Sequence, residues 1–107
     1  MKQNIFSVFL LTFADNSIYV GMTSRLRAND AARQVVYRAK NQIKENTPFT
    51  YPLIDHLRSK PHLISDFNTE VRATFSTQND AKEYFNLTLD DLITNEYNVL
   101  TVSHKTR

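Results

Sequence analysis

The chain has 107 residues, 41% of them apolar and 22% charged, and a formal net charge of +2. That is enough for one hydrophobic core and too apolar for intrinsic disorder, and no apolar run is long enough to cross a membrane as a helix. Cysteine is absent, which excludes disulfides, zinc-thiolate sites and thiol catalysis, and His56, His62 and His104 lack the spacing of a zinc site.

Ile5–Phe13 and Ser17–Met22 are β-rich runs around Ala14-Asp15-Asn16, a pattern that predicts a hairpin. Met1-Lys2 gives the first run the outline of a secretory leader. Ser7 and Thr12 interrupt it, however, and no small-x-small cleavage site follows, so a buried strand is expected. The sequon Asn86-Leu87-Thr88 then has no consequence, because the protein is expected to stay inside the cell. Asn16 tolerates the left-handed conformation, and a three-residue loop built on it gives a type I turn plus bulge. That loop sets Phe13 opposite Ser17, Leu11 opposite Tyr19 and Phe9 opposite Gly21. Phe9 and Tyr19 then share a face, with the Phe9 ring over Gly21. A two-residue loop would put them on opposite faces.

Gly21 is the single glycine of the chain, where average usage would supply about seven. Inside a strand, glycine costs about 0.5–1 kcal/mol relative to alanine, so keeping it there points to a close approach by another group.

The stretch from Arg25 or Asp30 to Lys44 is helical. Ala28, Ala32, Val35, Val36, Ala39 and Ile43 recur at the helical period, and Arg33, Tyr37, Lys40 and Lys44 form a polar stripe on another side. Asn46-Thr47-Pro48 ends it. A shorter helix over Tyr51–Ser59 follows, with Thr50 as cap and Pro52 in the first turn. Phe67–Phe75 alternates as a third strand, with Phe67, Thr69, Val71, Ala73 and Phe75 on one face and Glu70 and Arg72 on the other. Thr77 caps a helix through Phe85, and Thr88 caps another to about Thr94. Glu96–Leu100 closes a domain of residues 1–102, and 103–107 form a polar tail. The order is ββααβαα, an α+β chain.

Charge is unevenly distributed. Ser24–Lys60 holds eight Lys/Arg against three Asp/Glu, whereas Pro61–Arg107 holds four against seven. This fits a phosphate-facing side with an acidic counter-face, and it equally fits a solvated helix.

Phe6-Ser7-Val8-Phe9-Leu10-Leu11, then Ala14 through Thr23 with Tyr19-Val20-Gly21, resembles the opening of a GIY-YIG nuclease domain. The likeness is to small stand-alone members whose first motif reads V-Y-L-L, and it spans most of the chain. The element order resembles that family's small three-stranded antiparallel sheet flanked by helices. Glu83, in Ala81-Lys82-Glu83-Tyr84-Phe85-Asn86-Leu87, falls where the family carries a metal-holding glutamate. Asn98, in Tyr97-Asn98-Val99, resembles the closing Y-N-I. Taken alone, Glu83 would read as a solvent-facing acid and Asn98 as a turn residue.

The resemblance implies a Mg²⁺- or Mn²⁺-dependent DNA endonuclease. Glu83 would hold one metal, Tyr19 would orient or deprotonate water, and an arginine would stabilise the developing charge, with Asn98 completing the set. Arg25, Arg38, Lys40 and Lys44 would face nucleic acid. Specificity would come from loops or a protein partner, in a bacterial or phage-infected cytoplasm without a membrane. Two positions depart from the family. Phe9 replaces the first-motif tyrosine, and Asn29 stands where the first-helix arginine aligns. Arg33, then Arg27, then Arg25 are the substitutes for that arginine. The other readings are a catalytically lapsed fold that binds nucleic acid or a protein, and a small interaction module.

Overall fold

Strand β1, Phe6–Phe13, is the centre of a three-stranded antiparallel sheet ordered β2-β1-β3, with β2 at Ile18–Thr23 and β3 at Phe67–Phe75. The computed structural model describes residues 5–24, 27–45 and 52–101. The expected Thr50 cap, Arg25, His104 and the 103–107 tail lie outside the described residues.

Turn chemistry sets the β1–β2 register. Asn16 has a φ of 70°, its N–H donates to the Phe13 carbonyl at 2.8 Å, and the Phe13 N–H donates to the Ser17 carbonyl at 3.0 Å. This is the three-residue loop with a left-handed third position. Leu11 faces Tyr19 and Phe9 faces Gly21, as the loop requires.

β1 is covered on both sides, which is why its sequence is a nearly unbroken apolar run. Phe9, Leu11 and Phe13 join Ala32, Val36 and Ala39 of helix α1 (Ala28–Lys44) and Leu53, Ile54 and Leu57 of helix α2 (Pro52–Ser59). Val8 and Leu10, with Ile18 and Val20 of β2, meet Ala81, Phe85 and Leu89 of helix α3 (Gln78–Thr94) on the opposite face. The chain is therefore α+β in three layers, helices on either side of the sheet.

Three local expectations need correction. Helix α1 starts at Ala28, without a side-chain cap on its preceding Arg27, so Asp30 lies in its first turn and does not open it. The helix after β3 is one piece. Ala81, Phe85 and Leu89 recur every four residues, and burying Leu89 outweighs the few tenths of a kcal/mol by which Thr88 disfavours a helix. Finally, β3 does not keep one face. Val8 pairs with Ala73 but Phe9 with Val71, so Arg72 is an extra residue in a bulge. Phe67 accordingly stacks near Phe13 at 5.9 Å on the α1–α2 side, while Phe75 lies 5.4 Å from Tyr84 of α3.

The outer edge of β2 is closed by the segment after α3. Ile18 donates its N–H to the Asn98 carbonyl at 2.9 Å and accepts from the Leu100 N–H at 2.7 Å, which makes a parallel bridge to Val99. The Thr101 hydroxyl accepts from the Val20 N–H at 2.6 Å and donates to the Val20 carbonyl at 2.8 Å. Thr101→Val keeps the shape and deletes both bonds. We expect it to lower stability by about 1 kcal/mol in urea titration, with faster amide exchange at Val20. Among the described residues no helix is long and apolar enough to cross a membrane.

Candidate functional site

Tyr19 alternates with Val20 along β2 and so points to the α1–α2 side, where it is half-buried against the core containing Phe9. Phe9 is 2% exposed, and its ring covers Gly21. The first-motif position, Tyr19 and the motif glycine are thus one packed unit.

Glu83 is not part of it. It lies two residues from Ala81 and two from Phe85, both buried against the opposite sheet face. At about 100° per residue, this turns Glu83 to the solvent side of α3, and it is exposed. The cleft between β2 and α3 is walled by Tyr19–Met22 and Thr101, and α3 contributes Lys82, Phe85 and Asn86 to it. An ammonium and an amide are poor donors for Mg²⁺ or Mn²⁺, which take hard anionic oxygens. Among the side chains that line this cleft none is a carboxylate. Among the described residues no group of three or more His, Asp or Glu is placed to hold one.

The arginines divide by the flank of α1 that carries them. Arg33 donates to Asp30 at 3.0 Å and Arg27 lies 3.9 Å from the same carboxylate. Both border a hollow with Ser7, Val71 and Thr74, toward β3. Asn29, at the aligned arginine position, accepts from the Thr69 hydroxyl at 3.1 Å. Arg33, the first choice from sequence, thus sits on the flank away from β2. Arg38 instead borders a hollow with Phe9, Met22 and Thr23, beside β2. Asn98 is exposed, and what ties it to β2 is its backbone carbonyl.

The outward side of α1 is more coherent. Arg33, Tyr37, Lys40 and Lys44 are all exposed, Tyr37 at 58%. Their spacing of four, three and four confines them to an arc of about 60°. A large aromatic ring left in water among cations is a stacking surface inside a positive field.

One polar cluster is absent from the sequence reading. Asp15 Oδ1 accepts from the Ser17 N–H at 3.1 Å and the Ser17 hydroxyl at 2.6 Å. Its Oδ2 accepts from His56 Nε2 at 2.7 Å and Lys60 Nζ at 3.3 Å. Burial opposes the Asp15 charge, but the Ser17 bonds, with those of His56 and Lys60, hold its carboxyl far below the usual carboxylate range. Aspartate, serine and histidine suggest a hydrolytic triad, and the geometry rejects it. The Ser17 hydroxyl proton is directed at Asp15, one imidazole nitrogen faces both partners (3.1 Å to Ser17 Oγ), and Ser17 is 1% exposed. The cluster ties the hairpin tip to α2. Asp-x-Ser at a turn could have been read as a local Asx turn; His56, 41 residues on, could not.

No protein-family model matches the chain, and no curated protein or solved structure is significantly similar to it.

Proposed function

We propose that the chain is a nucleic-acid-binding domain on a GIY-YIG-like fold, which holds a DNA phosphate backbone along α1 without cutting it. The observation that carries this reading is the exposed stripe of Arg33, Lys40 and Lys44 around Tyr37. Cations at that spacing neutralise successive phosphates, and the ring offers a base a stacking surface. The lapsed chemistry is supported by Phe9 in place of a hydroxyl, Asn29 in place of an arginine, and Lys82 and Asn86 at the cleft wall. A cytoplasmic setting in a bacterial or phage-infected cell accompanies the proposal.

The second reading, a Mg²⁺-dependent endonuclease using Glu83, is favoured by the Tyr19-Val20-Gly21 hairpin register. A plasmid assay with Mg²⁺ or Mn²⁺ separates the two. We expect salt-sensitive oligonucleotide binding and no nicking. In Lys40→Ala/Lys44→Ala the salt slope should fall by about two units and affinity by about tenfold or more. Nicking by the wild type that disappears in Glu83→Ala would establish the endonuclease instead, and binding indifferent to salt, without nicking, would overturn both readings.

A further inference from the structure

The solvent side of α3 carries the same spacing as the stripe on α1. Glu83, Leu87, Asp90 and Thr94 recur at four, three and four residues, and all are exposed, Leu87 at 62%. Laid in parallel, the two stripes match position by position: Arg33 with Glu83, Tyr37 with Leu87, Lys40 with Asp90, Lys44 with Thr94. The antiparallel alignment loses this, setting Tyr37 against Asp90 and Lys40 against Leu87. We propose that the outer face of α3 docks the outer face of α1 of a second copy of this chain.

Within one chain the stripes cannot meet, because α1 and α3 cover opposite faces of the sheet. The contact is therefore heterologous, and each copy keeps one unused face of each kind. Such a contact propagates head to tail instead of closing a symmetric dimer. Tyr37 on Leu87 supplies the apolar centre, and the flanking ion pairs fix polarity and register. A single helix-on-helix contact is smaller than a standard stable interface, so assembly is weak, concentration-dependent and salt-sensitive. The Arg33–Asp30 pair is itself exposed on one helix, and such pairs exchange partners at little cost.

The test is analytical ultracentrifugation of the full chain, from about 10 µM to about 1 mM, in low salt and in about 0.5 M salt. In low salt the weight-average mass should rise about twofold or more across the range, and high salt should return it to monomer. R33A/Y37A/K40A removes one face and E83A/L87A/D90A the other. Each variant alone should stay monomeric with wild-type circular dichroism, while an equimolar mixture should form heterodimers that stop at two. A wild type monomeric throughout, a blocked variant that still assembles, or a mixture that stays monomeric would overturn the proposal. The inference does not rest on nucleic-acid binding. E83A/L87A/D90A keeps α1 intact and adds no cation, so its oligonucleotide affinity reports on that reading alone.

Discussion

Gly21→Ala is expected to destabilise the fold by about 3 kcal/mol, the upper range for forcing atoms into a packed core. The backbone would lead one to expect the reverse. Gly21 does not have a positive φ, and at such a position alanine ordinarily stabilises by about 0.4–1 kcal/mol through the unfolded chain. Space decides the sign. A Cβ at Gly21 would lie 2.7 Å from Phe9 Cε1 and 2.9 Å from Cε2, and closer still to Cζ. Phe9 is 2% exposed and packed between the sheet and α1, so moving its ring disturbs the core around it. Shortening the ring should relieve the clash. Phe9→Leu alone costs about 1 kcal/mol, and in Phe9→Leu/Gly21→Ala the two costs should fall short of their sum by 1 kcal/mol or more. Urea unfolding of the four proteins measures this. A Gly21→Ala variant as stable as wild type would refute the steric account. The motif glycine is thus explained by packing, and it speaks for the fold more than for catalysis.

Locally determined features were readable from the sequence. The β1–β2 register follows from one loop length and one asparagine, so placing Phe9 over Gly21 needed no knowledge of the rest of the chain. The apolar spacing of α1 marked its buried side for the same reason. The bulge at Arg72 was hidden because alternation continues in the letters while the pairing partner skips a residue. Only β1, some 60 residues away in sequence, reveals the skip. Continuity of α3 through Thr88 was hidden by a capping residue whose local preference is small beside the burial of Leu89. The candidate site suffered most. Its residues were carried over as motif positions, yet whether Glu83 or Lys82 and Asn86 look toward β2 depends on the rotation of α3 about its axis. Ala81 and Phe85, the residues that fix that rotation, were legible as apolar positions but not as a direction.

The Asp15 cluster gives the other large effect. Asp15→Ala should cost about 2 kcal/mol at neutral pH, because it strips both hydrogen bonds from the Ser17 side and the acceptor from His56 and Lys60. The Ser17 hydroxyl, 1% exposed, would keep only His56 as neighbour. Losing one partner of a buried polar pair costs about 1–3 kcal/mol, and the partial exposure of the Asp15 side chain holds the sum below a simple total. The pH dependence has a definite sign. The folded carboxyl titrates below its unfolded value, which is about 4. Its contribution is therefore complete above about pH 4 and is lost as pH falls through the folded value. Wild type and Asp15→Asn should differ by the full amount from about pH 7 down to about pH 4, with the two curves converging from there toward about pH 2. Urea unfolding across that range, with Ser17→Ala in parallel, measures it. A difference independent of pH would mean that the side chain stabilises the turn by shape and not by charge. A difference that grew on acidification would reverse the sign and remove the carboxylate from the account. Because the cluster joins the hairpin tip to α2 and not to the motif strand's open face, the variant should unfold more readily while leaving oligonucleotide affinity of the folded protein unchanged.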